Sequence, residues 1–271
     1  MTAIVPGLCS VTFRKLAPQE IVELASSCEL KAIEWGGDVH VRPGDLNRAE
    51  EIAGLCLDAD IACPSFGSYL VAGAADTRST LSPILETAQA LGAGNVRIWA
   101  GRMPSGNADR QTWDLIRDDI IFVADQAAKS GLTVSLEYHR NTLTERAQDT
   151  VRLLGECARP NLYTYWQPVP GRGLARWQDE VSTLAPWLGF FHVFHWISDG
   201  KTGADIRCPL EEGESDWASL MDQWQPAPSW PHGRQSFLEF VTGDSIAQFE
   251  KDAKVLKRLS GLGPQTDHND I

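Results

Sequence analysis

The stretch WDLIRDDIIFVADQAAKSGLTVSLEYH, residues 113–139, contains the repeating unit that decides the fold. Residues 113–130 carry apolar side chains at helical spacing, and Gly131 follows as a residue typical of a helix C-terminus. Residues 133–138 then form a short apolar run typical of a buried β-strand, which closes on the polar Glu137. A helix followed by a buried strand is the building block of parallel α/β folds.

The same alternation extends in both directions from this unit. Eight strand-like runs are separated by helical runs, and their starts lie 25 to 47 residues apart, which suits βα units better than hairpins. We therefore predict an α/β fold, a single (β/α)8 TIM barrel over residues 1–260 with a polar tail at 261–271. An open doubly wound sheet is the alternative, but no GxGxxG turn or P-loop follows the first strand. The predicted strands are Gly7–Phe13, Ala32–Trp35, Ile61–Ser65, Asn95–Ala100, Thr133–Tyr138, Leu162–Trp166, Gly189–Phe194 and Ser236–Val241.

Composition restricts the class of protein. The chain has 271 residues, of which 43% are hydrophobic, so it can bury a sizeable core, and no apolar run is long enough to span a bilayer. A net charge of −12 argues against a nucleic-acid-binding surface. The six cysteines form no CxxC pair, and the N-terminal residues lack the features of a signal peptide. We therefore expect a cytoplasmic protein without nucleic-acid or membrane partners.

Four polar residues stand at the ends of predicted strands: Glu137, Gln167, His192 and Glu239. A parallel barrel brings the C-terminal ends of all its strands to one rim, so these side chains are expected to meet. Two carboxylates, an imidazole and an amide oxygen could hold a divalent cation and transfer protons. The alternative for either glutamate is a structural ion pair with an arginine such as Arg97 or Arg14.

Further polar and aromatic residues near the same rim are candidates for substrate binding. The motif FHVFHW contains two histidines three residues apart, and since such residues face opposite sides of a strand, only one should point into the barrel unless the strand ends between them. Of the four tryptophans near strand ends (Trp35, Trp99, Trp166 and Trp196), we expect about two to line the pocket. The predicted substrate-binding residues are Glu34, His40, His139, Arg140, Trp166, His195, Trp196 and Arg207.

Taken in order, several segments resemble the xylose isomerase-like barrel superfamily, in particular its sugar phosphate isomerase/epimerase branch. They are GLCSVTFR, AIEWGGDVHV, GSYLVAG, NVRIWAG, SLEYHRNT, TYWQP, LGFFHVFHW, RCPLEEGESDW and SFLEF, and the resemblance covers essentially all of residues 7–259. The resemblance implies one divalent metal ion (Mn, Mg, Co or Zn) bound by Glu137, Gln167, His192 and Glu239. Ketose 3-epimerases of this branch carry Asp where this chain has Gln167, a departure that removes one negative charge from the metal ligands.

The resemblance also implies a reaction. Glu137 and Glu239 would act as the catalytic carboxylates of an isomerase or epimerase, moving a proton through a metal-stabilised cis-enediolate of a small polyhydroxy ketone or aldose. An inosose-type dehydratase using the same site is an alternative, and a degenerate barrel that binds a sugar without catalysis is another. A nuclease of the same superfamily is disfavoured by the six histidines and the acidic charge. The expected partner is a small carbohydrate, and the resemblance allows a homo-oligomer.

Overall fold

The computed structural model describes residues 3–262, which form a closed barrel of eight parallel strands. The order around the barrel is β1-β10-β7-β6-β5-β4-β3-β2, and β8 and β9 form a separate antiparallel hairpin. The predicted single (β/α)8 barrel is therefore confirmed. The predicted boundary between a barrel at residues 1–260 and a tail at 261–271 stays a prediction, since residues 263–271 lie outside the described range. The strands are β1 Ile4–Cys9, β2 Ala32–Gly36, β3 Ala62–Val71, β4 Asn95–Trp99, β5 Thr133–Leu136, β6 Leu162–Trp166, β7 Leu188–Val193, β8 His195–Ser198, β9 Asp205–Cys208 and β10 Arg234–Leu238.

Eight α-helices in the described part of the chain surround the barrel, and local sequence signals explain both ends of α4. The Asp109 side chain accepts a hydrogen bond from the Thr112 N–H at 2.8 Å and caps α4, and Gly131 follows α4 with a φ of 70°. Within residues 3–262 no helix is long and apolar enough to cross a membrane. The helices are α1 Pro18–Ser27, α2 Leu46–Asp58, α3 Leu81–Ala90, α4 Arg110–Lys129, α5 Ala147–Cys157, α6 Leu174–Leu184, α7 Glu214–Gln223 and α8 Ile246–Leu259.

The first strand lies earlier in the chain than the predicted Gly7–Phe13. Strand β1 ends at Cys9, and Ser10–Phe13 form a buried 3-10 turn at the rim. Two hydroxyl groups hold this turn: Ser10 Oγ accepts the Gly36 N–H at 2.9 Å, and Thr12 Oγ1 accepts the Phe240 N–H at 3.1 Å. These side-chain hydrogen bonds replace the ladder that a continued strand would form.

The barrel interior contains a polar layer beneath the rim. Asn95 donates to Ser65 Oγ at 3.1 Å and accepts from Ser135 Oγ at 2.8 Å. Above them, Tyr165 donates to a carboxylate oxygen of Glu34 at 2.5 Å. This network fixes a buried carboxylate near the axis of the barrel, directly below the rim.

Three of the four rim residues follow immediately after their strands. Glu137 follows β5, Gln167 follows β6 and Glu239 follows β10, whereas His192 is the next-to-last residue of β7. All four are buried. The fold thus carries these side chains to the C-terminal face of the barrel, where TIM-barrel active sites lie.

Candidate active site

Three of the four rim side chains converge on one ring nitrogen of the fourth, His192. His192 Nδ1 lies 3.3 Å from Glu239 Oε2, 3.3 Å from Gln167 Oε1 and 3.8 Å from Glu137 Oε1. The residues that the sequence placed together on the rim are therefore together in the structure.

The opposite nitrogen of His192 faces another carboxylate. Nε2 lies 3.2 Å from Glu34 Oε1, and because a carboxylate only accepts, this nitrogen carries a hydrogen. Once Nδ1 loses its proton, as metal binding requires, the neutral ring presents the Nδ1 lone pair beside the three rim oxygens. In the metal-free protein burial disfavours the charged ring, but the carboxylates of Glu239 and Glu34 outweigh it and raise the pKa of His192 to about 10.

Arg97 is buried between two carboxylates. Its Nε lies 3.1 Å from Glu34 Oε1, and its Nη1 pairs with Glu137 Oε2, which also accepts from Trp99 Nε1 at 2.5 Å. Burial alone would raise the pKa of Glu137, but the Arg97 guanidinium lowers it below its usual range. The ion pair that the sequence offered as an alternative to metal binding is therefore formed through one oxygen of Glu137, while the other oxygen faces His192.

The donor set fits a divalent metal ion. Glu137, His192 and Glu239 each present a ligand atom within 4.8 Å of the others, and Gln167 adds an amide oxygen beside them. Three oxygen donors and one imidazole suit Mn²⁺, Mg²⁺, Co²⁺ or Zn²⁺. A carboxylate that holds the far nitrogen of the imidazole, as Glu34 does, is the usual second partner of a metal-bound histidine.

A pocket of about 240 Å³ opens above these residues. Its aromatic walls include Trp99 and Trp196, and Trp99 stacks on His139 at a centroid distance of 5.2 Å. Two of the four rim tryptophans thus line the pocket, as expected, and the predicted His139, Arg140 and Trp196 are there. The pocket residues are Tyr69, Arg97, Trp99, Glu137, Tyr138, His139, Arg140, Gln167, Pro168, Val169, Pro170, Phe194, Trp196, Glu239 and Phe240.

Two predicted substrate-binding residues lie on the outside of the barrel wall, so their placement in the pocket is corrected. Trp166 is fully buried against the helices, where its ring packs on Trp217 and its indole donates to Glu180 at 3.3 Å. His40 is buried in the loop after β2, with Nδ1 3.0 Å from Ser10 Oγ. Neither side chain reaches a substrate in the pocket.

Three other predicted substrate-binding residues lie close to the pocket without lining it. Glu34 lies beneath the rim and supports His192 and Arg97. His195 is turned away from the pocket on strand β8. Arg207 pairs with Asp244 at 2.6 Å, and its guanidinium covers the outer faces of pocket aromatics. Their predicted direct contact with substrate is therefore corrected.

The sequence interpretation missed Tyr69. The register of β3 against β4 shifts between Gly67 and Leu70, and within this irregularity Tyr69 adopts a φ of 58°. The distortion directs the phenol ring into the pocket, where it lies 5.2 Å from the Arg97 guanidinium carbon. A non-glycine residue with positive φ cannot be read from a sequence, so no local signal marked Tyr69.

Comparison with known proteins agrees with this architecture. The sequence profile described as "Xylose isomerase-like TIM barrel" matches residues 22–225, which is most of the chain. The chain belongs to this family. Solved structures that share the fold include D-psicose 3-epimerases and a probable dehydratase.

Individual relatives illustrate this range. A 3-dehydroshikimate dehydratase of Bacillus anthracis is 25% identical over 200 residues, which are 69% of this chain and 70% of the relative. The crystal structure of the probable 3-DHS dehydratase from the same organism has a TM-score of 0.76 at 20% identity, covering 94% of this chain and 99% of that one.

Two further solved structures share the fold. D-psicose 3-epimerase of Clostridium cellulolyticum has a TM-score of 0.63 at 13% identity, with 95% and 96% of the two chains covered. A xylose isomerase-like protein of Mycobacterium smegmatis in complex with magnesium has a TM-score of 0.66 at 15% identity, with 96% and 97% covered.

Proposed function

We propose that this protein is a metal-dependent dehydratase that removes water from a small polyhydroxy ketone. The observation that carries the proposal is a difference between two candidate proton-transfer groups in the pocket, Glu137 and His139. Glu137 is held at both of its oxygens, whereas His139 offers an unengaged ring nitrogen to the pocket.

Glu137 is poorly suited to act as a mobile base. One of its oxygens accepts from Arg97 and Trp99, and the other faces His192 and the amide of Gln167, 3.4 Å away. A carboxylate held by a guanidinium also has a lowered pKa, so it is a weak proton acceptor. We therefore assign Glu137 as a metal ligand.

His139 has the geometry of a general base. Its Nδ1 lies 2.6 Å from the carbonyl oxygen of Arg140, and since a carbonyl only accepts, Nδ1 carries the hydrogen. The neutral ring then has its lone pair on Nε2, and the stack on Trp99 fixes the ring plane. The backbone thus selects the tautomer that can take a proton in the pocket.

In the proposed elimination, His139 acts first as the general base and then as the general acid. A divalent ion bound by Glu137, Gln167, His192 and Glu239 supplies a Lewis acid for the substrate carbonyl. His139 Nε2 removes the proton from the carbon beside the carbonyl, and a carbon–carbon double bond forms as the hydroxyl group leaves the next carbon. The His139 imidazolium returns the proton to that hydroxyl, so one water molecule is released and His139 is again neutral.

The relatives support elimination as the outcome. Both the sequence relative and the structure with a TM-score of 0.76 are described as 3-dehydroshikimate dehydratases, one of them as probable. The pocket also contains Arg97 and Arg140, which could bind a substrate carboxylate.

Isomerisation or epimerisation, which the sequence favoured, is the second candidate. Epimerisation with two bases needs a second proton acceptor, and Glu239 is the freer of the two carboxylates. Its nearest polar contacts are His192 at 3.3 Å and the Cys9 sulfur at 3.9 Å. The similarity to D-psicose 3-epimerase in fold is compatible with this candidate.

One experiment separates the two reactions. Protein loaded with Mn²⁺ is incubated in D₂O with 3-dehydroshikimate and, separately, with D-psicose, and the products are followed by mass spectrometry and ultraviolet absorbance. Dehydration predicts loss of one water and the absorbance of an aromatic dihydroxybenzoate. Deuterium in a recovered ketose without loss of water would favour the epimerase, and neither product nor exchange would favour a sugar-binding barrel.

A further inference from the structure

We infer that His195, Cys208 and Glu212 form a second metal site, specific for zinc-like ions, on the β8–β9 hairpin. Their ligand atoms, a ring nitrogen, a thiol sulfur and a carboxylate oxygen, all lie within 4.8 Å of one another. None of these atoms belongs to the rim cluster of Glu137, His192 and Glu239.

Two separate elements build this cluster. His195 and Cys208 are direct cross-strand partners at the end of the hairpin next to the barrel, so the antiparallel ladder places their side chains side by side. Glu212 comes from the 3-10 helix Leu210–Gly213, which follows directly after β9. At Gly213 any Cβ atom would collide with the His195 ring, so the absence of a side chain there makes room for the imidazole.

The three side chains are free to act as ligands. Within residues 3–262, neither the His195 ring nor the Glu212 carboxylate forms another hydrogen bond or ion pair, and the Cys208 sulfur contacts only backbone groups, the Ile206 carbonyl at 3.7 Å and the Ile197 N–H.

The donor types identify the class of metal. Imidazole nitrogen, thiolate sulfur and carboxylate oxygen are the ligands that Zn²⁺ takes, whereas Mg²⁺ and Ca²⁺ prefer oxygen donors alone. Three protein ligands leave a fourth position of a tetrahedral ion for water. The two centres are thus chemically distinct, because the rim cluster is rich in oxygen and this cluster contains a thiol.

A metal here would fix one wall of the active-site pocket. The hairpin carries Trp196, which lines the pocket, and Asp205, which pairs with the pocket residue Arg140. An ion that joins the hairpin to the 3-10 helix would hold both residues in place. We expect zinc at this site to slow local opening of the hairpin without taking part in chemistry.

The test uses Co²⁺ as a spectroscopic substitute for zinc. Full-length protein is stripped with a chelator and titrated with Co²⁺, and the near-ultraviolet charge-transfer absorption of a cobalt–thiolate bond is recorded together with the metal content. The expected stoichiometry is two ions per chain, with the thiolate band retained in Glu239→Ala, which removes a rim ligand. Cys208→Ser and His195→Ala should each lose one ion, and Cys208→Ser should also lose the band.

Matched controls identify the sulfur and the site. Cys28→Ser changes a similarly half-exposed thiol far from both clusters, and Cys9→Ser removes the thiol next to the rim, so both should keep the band. Loss of a direct ligand should weaken Zn²⁺ binding by more than the roughly 10–100-fold typical of losing an outer partner. A band that survives Cys208→Ser, or one ion per chain that is lost in Glu239→Ala, would overturn this inference and leave the proposed reaction untouched.

Discussion

Substitution of Glu34 by glutamine tests whether this buried carboxylate orients His192 for metal binding. Glu34 Oε2 accepts from Tyr165 at 2.5 Å and Ser65 at 2.9 Å, while Oε1 forms an ion pair with Arg97 Nε at 3.1 Å and accepts from His192 at 3.2 Å. Every partner of this side chain is a donor. Glutamine offers only one acceptor oxygen, so its NH₂ group must face donors on one side or the other.

The structure indicates which arrangement costs metal affinity. If the amide oxygen stays with Tyr165 and Ser65, the NH₂ group faces His192 Nε2, which must then give up its hydrogen. The hydrogen moves to Nδ1, the nitrogen that faces the rim oxygens, and blocks its lone pair. Loss of such an outer partner lowers metal affinity by about 10–100-fold, or about 1.4–2.8 kcal/mol. We expect a loss in this range for Glu34→Gln.

Calorimetric titration of the metal-free protein with Mn²⁺ measures this loss, and thermal unfolding without metal measures the accompanying instability. Arg97 still pairs with Glu137 in Glu34→Gln. The free energy of unfolding should therefore fall by less than the roughly 3–5 kcal/mol lost when a buried ion pair is broken completely. Glu180→Gln is the matched control, because Glu180 is equally buried and pairs with Arg172 at 2.7 Å, but lies outside the pocket. Unchanged Mn²⁺ affinity in Glu34→Gln, or an equal loss in Glu180→Gln, would refute the orienting role.

Three further substitutions test other parts of the site and fold. His139→Asn should lower turnover by about 10²–10⁴-fold and leave Mn²⁺ affinity unchanged, as measured by steady-state kinetics and calorimetry; a retained rate would remove His139 as the proton-transfer group. Gln167→Asp should raise Mn²⁺ affinity by about tenfold or more in the same titration, because it adds a charge beside the cation. Asp252→Asn concerns stability, since burial raises the pKa of Asp252 and the folded state therefore binds its proton more tightly than the unfolded state. The wild-type protein should lose stability as the pH rises from the ordinary carboxyl pKa through this raised pKa, by about 1.4 kcal/mol per pKa unit. Asparagine should abolish that loss while its oxygen still accepts from Leu210 N–H; urea unfolding at a series of pH values measures the difference, and parallel curves would contradict it.

Side chains along a strand alternate between its two faces, and this rule accounts for most of what the sequence could predict. The same rule could also have excluded Trp166 from the substrate-binding residues. The polar ends of β5, β6, β7 and β10 located the rim because a parallel barrel leaves them no other place. In the segment TYWQ, however, Tyr165 and Gln167 point into the barrel, so Trp166 between them must face the helices. The same rule in NVRIW places Arg97 on the inward face with Asn95.

Other features depend on tertiary contacts that no local pattern encodes. The β8–β9 hairpin consists of two short, half-exposed strands, and their apolar residues Ile197 and Ile206 are themselves exposed, so no alternating buried face marks them. The positive φ of Tyr69 arises from a register shift between β3 and β4. Both features position pocket walls, which is where the sequence interpretation was weakest.

Charge balance at the rim gives a physical reason for the amide at position 167. Glu34, Glu137 and Glu239 bring three negative charges and Arg97 returns one positive charge, all buried. One divalent cation beside a neutral His192 cancels the remaining two. Since the site already contains Glu34 as well as two ligand carboxylates, an aspartate at 167 would leave an uncompensated buried charge even with metal bound. Gln167→Asp should therefore bind Mn²⁺ more tightly yet unfold at a lower temperature when metal-free, and equal metal-free stability would show that the site tolerates the extra charge.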